Sequence, residues 1–182
     1  GQNSVLAKEI MEADNEVDRE QKKIENICFN LLMQQQPVAR DLRVISAAMK
    51  MVTDMERIGD HAADISEMTV MMASEPYVVD LSDIKKMASE TVLMLIRSIE
   101  AYVEKDMLKA QSVIDHDDIV DELFNKVKQE LIEMIRKNPA VSEQAADMLM
   151  VAKYFERIGD HATNLAELII FALDDKKNTM QN

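Results

Sequence analysis

The chain has 182 residues, the size of one average domain or two small ones, and its 47% apolar and 30% charged residues suit a packed core and argue against disorder. Lys and Arg number 21 against 34 Asp and Glu, and the net charge of −13 repels phosphate backbones and anionic lipid, so nucleic acid and the bare membrane surface are excluded as first partners. With 3 Gly, 3 Pro, no Trp and 4% aromatic residues, the chain has too few turn residues for a sandwich or barrel, and its core must be aliphatic with a contribution from 15 Met.

The first predicted element is a helix over Ser4–Met33, where Ile10, Asp14, Val17, Gln21, Ile24, Cys28 and Leu31 recur at 3/4 spacing. No basic segment followed by a long apolar core opens the chain, so no signal peptide is expected. Cys28 is the single cysteine; it rules out an internal disulfide, fits a reducing compartment, and reads as a small core side chain. Pro37 marks the start of a second helix, Val38–Met72, with the series Val44, Ala48, Met51, Met55, Ile58, Ala62, Ile65. A linker at Ala73–Asp80 contains Pro76, and a third helix is expected at Leu81–Glu104. A fourth, Met107–Arg136, carries Val113, Asp117, Val120, Phe124, Val127, Leu131 and Met134. Pro139 opens a fifth, Ala140–Leu173, with Val151, Phe155, Ile158, Ala162, Leu165 and Ile169 on one face. The tail from Asp174 to Asn182 is polar and is expected to fray. The uncharged, mainly apolar runs Met68–Ser74 and Leu168–Leu173 fall far short of the ~20 residues of a membrane span, so a soluble, cytoplasmic protein is expected, without direct membrane insertion.

The chain repeats itself. Glu56-Arg57-Ile58-Gly59-Asp60-His61-Ala62 returns unchanged as Glu156-Arg157-Ile158-Gly159-Asp160-His161-Ala162, at an offset of 100. Upstream, the first and fourth helices align at an offset of 103, so the second copy is three residues shorter between the two blocks. Short connections make neighbouring helices antiparallel. The expected fold is all-α: residues 1–75 form a first repeat of two helices, residues 81–175 a second of three, and residues 176–182 a polar tail. No counterpart of Leu81–Glu104 precedes the first repeat in this sequence. Two helices with wide apolar stripes cannot bury both, so the stripe on Ser4–Met33 and Val38–Met72 is expected to be covered by another segment or by self-association.

The chemistry-bearing residues are acidic pairs at i,i+4, a spacing that stacks both carboxylates on one helix face. Asp14/Asp18, Glu56/Asp60, Asp117/Asp121 and Glu156/Asp160 recur at matched positions of the two halves. Pairs such as Glu12/Glu16, Glu100/Glu104 and Glu143/Asp147 do not, and read as solvated faces. Asp14 and Asp117 stand on the apolar series itself, where a carboxylate costs several kcal/mol unless it is protonated, paired or bound to a cation. Neighbouring helices would thus gather Asp14, Asp18, Glu56 and Asp60 in one half and Asp117, Asp121, Glu156 and Asp160 in the other. All-oxygen donors suit Mg, Ca, Mn or Fe(III), with Zn admissible. Spacing alone leaves two readings open: a metal, or a structural network neutralised by Arg40, Arg43, Arg57 and Arg157.

His61 and His161 follow the motif Asp and point about 100° away from it, which favours a hydrogen bond over ligation. His116 matches Ala13 in the first copy, so it has no shared role. Asp64 and Asn164 lie one turn beyond the motif and read as exposed polar positions able to add an oxygen. Gly59 and Gly159 each cost about 1 kcal/mol relative to Ala in a helix, which suggests close approach of a neighbouring helix or a bound cluster. The methionines Met68, Met71, Met72, Met148 and Met150 read as adaptable core. Arg40 and Arg43 put cations at a helix start, against the dipole, and could mark a docking surface.

These residues together resemble the PhoU phosphate-signalling regulators. The resemblance rests on Glu56–His61 and its copy at 156–161, on Asp14-Asn15-Glu16-Val17-Asp18 with Asp117-Asp118-Ile119-Val120-Asp121, and on Gln35-Gln36-Pro37-Val38-Ala39-Arg40-Asp41-Leu42-Arg43. It covers nearly the whole chain and departs in the absent first helix. It implies tandem three-helix bundles and, on each, a multinuclear iron or zinc site held by the four carboxylates. It also implies a regulatory role in phosphate uptake and starvation signalling, as an adaptor between the ATPase of a phosphate ABC transporter and a sensor histidine kinase that is restrained when phosphate is plentiful. A homo-oligomer, peripheral to the inner membrane through its partners, would follow. A carboxylate-bridged di-metal enzyme is the alternative, but the residues three before each His are Ile58, Val113 and Ile158, so the Glu-x-x-His signature of ferritin-like bundles is missing. No nucleophile triad or phosphate-cradling glycine loop is present either, so no enzyme is expected. A metal-free helical scaffold is the third reading.

Overall fold

The computed structural model describes residues 3–34, 38–78 and 82–174. The five expected helices all form: α1 (Ser4–Gln34), α2 (Ala39–Met71), α3 (Ser82–Glu104), α4 (Met107–Lys137) and α5 (Ser142–Leu173). Their bounds lie within about two residues of the sequence expectation. Pro139 does not enter α5 as expected; it opens a short 3-10 turn, Pro139–Val141, ahead of it. Pro37, Leu81 and the tail beyond Asp174 lie outside the described residues.

α1–α2, α2–α5, α3–α4 and α4–α5 are antiparallel pairs, while α3 runs parallel to α5, with Thr91 against Phe155 and Met94 against Gly159. Gly59 of α2 faces Asp14 and Val17 of α1, Gly159 of α5 faces Asp117 and Val120 of α4, and α2 lies along α5. α3 packs on both α4 and α5, which completes a three-helix bundle in the second repeat. The α3–α4 turn is closed by Lys105 in the left-handed region, φ 55°, and by Asp106, whose carboxylate caps α4 by accepting from Leu108 N and Lys109 N. Gln144 holds the inter-repeat linker by accepting from Val78 N at 2.7 Å and donating to Pro76 O at 3.3 Å.

The repeats differ in how well they bury their stripes. In α5 every member of the apolar series is buried or half-buried, around Met87, Met94, Val113, Val120 and Leu165. In α2, Val44 and Met55 of the equivalent series are both 43% exposed, and α1 buries only Ala7 and Cys28 among its described residues. Leu6, Ile27 and Leu31 stay exposed on α1, against which only α2 packs closely among the described residues. Met72 and Met148 join the core and Met68 packs on it, but Met71 and Met150 do not: they are exposed, because they fall off the buried face of their helices.

Both glycines allow close helix approach, but not to the same degree. A methyl group at Gly59 would meet Asp14 Oδ1 at 3.1 Å and Val17 Cγ1 at 3.3 Å, whereas at Gly159 the nearest atoms, Asp117 Oδ1 and Val120 Cγ1, are at 3.5 Å. Gly159→Ala should therefore gain up to about 1 kcal/mol from helix propensity, and Gly59→Ala distinctly less, since α1 must shift to admit the methyl. Urea denaturation of the two variants checks the order.

Candidate metal centre

The four i,i+4 pairs come together as two groups of matching layout. α1 and α2 bring Asp14 and Asp18 to Glu56 and Asp60; α4 and α5 bring Asp117 and Asp121 to Glu156 and Asp160. The mutual repulsion within each group is visible in the carboxyls themselves. Burial, then Asp60 and Asp18, push Asp14 above the usual carboxylate range. Burial, then Asp60, raise Glu56, with Arg57 opposing. Asp117 is pushed up to about 6 by burial, then by Asp121 and Asp160, with the Thr163 hydroxyl opposing. Asp121 and Asp160 are raised by burial and by Glu156, although both keep an exposed edge where water screens the effect.

Cations on the protein offset part of this repulsion, and only some of them are the ones expected. Of the four arginines, Arg57 reaches its group, donating to Asp60 at 3.0 Å and approaching Glu56 at 3.5 Å. Arg43 instead donates to the carbonyl of Asp174 at the end of α5 and lies 5.7 Å from the centre of the Phe171 ring. That position suits a cation, because helix carbonyls converge there. Arg40 is exposed in the first turn of α2. The cation of the second group is Lys153, bound to Glu156 at 2.5 Å.

The histidines make hydrogen bonds at the α2–α5 contact. His161 Nδ1 lies 2.7 Å from Asp54 Oδ1, which also accepts from Asn164 Nδ2 at 3.2 Å. His61 Nδ1 lies 3.5 Å from Asp64, and its ring is 5.6 Å from that of His161 and 5.5 Å from Tyr154. Tyr154 is the repeat counterpart of Asp54, so the two histidines sit in related pockets, one acidic and one aromatic. His116 Nε2 binds Glu90 of α3 at 2.8 Å.

Among the described residues, no three of His, Cys, Asp and Glu converge closely enough to enclose one ion as the side chains stand. The donor set nevertheless fits a hard cation. Asp14 Oδ1 is buried without a hydrogen-bond partner and faces the one residue of α2, Gly59, that has no side chain to block it. A buried carboxylate oxygen left without a donor is stabilised by a cation or a proton. Asp14, Asp18, Glu56 and Asp60 would hold it in the first repeat; Asp117, Asp121, Glu156 and Asp160 in the second.

The five helices and the internal repeat together define an all-α protein built of two tandem repeats. The PhoU domain matches residues 1–69 and 84–169, one segment on each repeat, and the chain belongs to the PhoU family. It is 37% identical over 177 residues to a phosphate-specific transport system accessory protein PhoU homolog of Clostridium acetobutylicum, covering 97% of this chain and 81% of the relative. A PhoU homolog of Thermotoga maritima is 31% identical over 93% of this chain and 73% of its own. The crystal structure of PhoU from Pseudomonas aeruginosa superposes with a TM-score of 0.92 at 29% identity, covering 94% of this chain and 82% of that one. The Clostridium and Thermotoga relatives are named as accessory proteins of a phosphate-specific transport system. No described helix is long and apolar enough to cross a membrane.

Proposed function

We propose that this chain is an accessory regulator of a phosphate-specific transport system, working as a cation-binding adaptor between the transporter ATPase and a sensor histidine kinase. The observation that supports this reading is the PhoU domain on both repeats, each carrying its full set of four carboxylates. An adaptor needs rigid surfaces rather than a reacting centre, and long helices cross-tied at two matched points supply them. A multinuclear iron or zinc centre bound there would supply positive charge that neutralises the carboxylates. The chain's own residues then hold α1 against α2 and α4 against α5, while Arg43 secures the start of α2 to the end of α5. The protein would act in the cytoplasm, held at the inner membrane through its partners.

A strain lacking the gene should express phosphate-starvation genes in phosphate-rich medium, and the full chain should restore repression. A reporter fused to a starvation promoter measures this. Unchanged expression on deletion would contradict the regulatory role.

The open face of α1 and α2 supports self-association. Leu6, Ile10, Ile24, Ile27 and Leu31 are all at least 38% exposed on α1 alone, a larger apolar stripe than monomers usually leave in water. Sedimentation should show a dimer or larger species at micromolar concentration; a compact monomer at high concentration would refute this.

A further inference from the structure

A cavity of about 190 Å3 lies where the two repeats and their linker meet. Its walls come from Ile65 of α2, Ile84 of α3, and Met148 and Phe155 of α5, with Met72 just past the end of α2 and Tyr77 of the linker. Met72, Ile84 and Met148 are themselves buried, so the space is cut into the core. Tyr77 is held in place from both sides. Gln144 donates to the carbonyl of Pro76 and accepts from the amide of Val78, the two residues that flank it.

Close-packed interiors contain few voids larger than a water molecule, and an apolar void of this size stays dry. Its lining then lacks van der Waals partners on one side, which an apolar body would supply. An engineered apolar void of about 150 Å3 takes benzene, so this one has room for about six to eight carbon atoms.

The charge at the opening selects the other end of the ligand. No Asp or Glu is among the described residues that line the cavity, although the chain carries −13 overall. Lys85 of α3 lines it and is exposed, so the cavity reaches solvent beside an ammonium group. Lys109, Lys126 and Lys153 are each bound to a carboxylate, whereas Lys85 forms no ion pair among the described residues. The Thr69 hydroxyl is spent on the carbonyl of Ile65 at 2.9 Å. Burial pushes the Tyr77 phenol above its ordinary value, so it stays protonated and able to donate.

We propose that this cavity binds a small amphipathic carboxylate, an aliphatic chain or single aromatic ring of about six to eight carbons, with its carboxylate group at Lys85. The body of the ligand touches α2 of the first repeat, the linker, and α3 and α5 of the second, so its binding ties the repeats together. The site is separate from the two acidic groups and needs no cation in them.

Hexanoate, hexan-1-ol and hexylammonium, each titrated into the full chain, test it. The methyl NMR signals of Met72 and Met148, assigned through Met72→Leu and Met148→Leu, report on the walls. Both should shift saturably with hexanoate, which should bind more tightly than hexanol, and hexanol more tightly than hexylammonium. Lys85→Gln should weaken hexanoate about threefold, the size of an exposed charge pair, and leave hexanol unchanged. Ala88 also lines the cavity and is half-buried. Ala88→Leu should fill the space, abolish binding and raise the melting temperature. Ala88→Val makes the same test with a smaller side chain, and circular dichroism confirms the fold of each variant. No saturable shift at either methionine with any probe, or undiminished binding by the folded Ala88 variants, would overturn the site. Hexylammonium binding as tightly as hexanoate, or unchanged hexanoate affinity in Lys85→Gln, would overturn its assignment to a carboxylate.

Discussion

Asp117→Asn/Asp160→Asn should stabilise the protein in EDTA at neutral pH and, in the same stroke, remove cation binding by the second repeat. Asp117 stands at about 6 in the folded chain, above its ordinary carboxylate value of 3.8. Between those values the folded state holds more protons than the unfolded one, so stability falls as pH rises through this window. The penalty is absent below about pH 4 and complete above about pH 6. Allowing for the solvent that reaches these side chains, it amounts to roughly 1–2 kcal/mol at neutral pH. The double variant should therefore melt higher than the parent at pH 7.5 in EDTA and close to it at pH 4.5. Added metal should raise the melting temperature of the parent more than that of the variant. Thermal denaturation at the two pH values, with and without metal, checks each part. A variant less stable than the parent at pH 7.5 in EDTA would contradict it.

The second large effect is in the core. Met94 of α3 is fully buried, and its sulfur would lie 3.9 Å from a methyl group placed on Gly159. It thus packs α3 against the motif segment of α5. Met94→Ala should cost about 2–5 kcal/mol, the range for deleting a fully buried large side chain. Truncation on the open first repeat should cost much less: Met55→Ala removes a side chain already 43% exposed, and about 1 kcal/mol is expected. Guanidinium denaturation measures both; similar losses would contradict the unequal burial of the two repeats.

Much of this architecture was legible in the chain itself. The 3/4 series mark four of the five helices because each buries one stripe, and the seven-residue repeat at 56–62 and 156–162 aligns the two carboxylate groups. Gly59 and Gly159 were readable as close approaches because nothing else explains glycine twice at mid-helix. What escaped was contact between residues that the repeat does not pair. Of the arginines expected as counter-ions, Arg57 contacts Asp60 and Glu56, whereas Arg43 serves the end of α5 and it is Lys153 that meets Glu156. The signal was present in the paired departures from the repeat, Thr53 against Lys153 and Gln21 against Phe124, whose ring centre lies 5.3 Å from the Lys153 ammonium, but it becomes meaningful only when α4 and α5 are seen to bring them together. The Asp54–His161 contact was hidden for the same reason: the repeat puts Tyr154 where Asp54 stands, and only the α2–α5 packing shows what each one meets.

We propose that each repeat presents its four carboxylates, Asp14, Asp18, Glu56 and Asp60 in the first and Asp117, Asp121, Glu156 and Asp160 in the second, as a cation site. The most direct test is elemental analysis of the chain purified without added metal, beside Glu156→Ala/Asp160→Ala. Stoichiometric iron or zinc in the parent, with the second repeat's share lost in the variant, is the predicted result. No metal in either protein, or the same content in both, would contradict it.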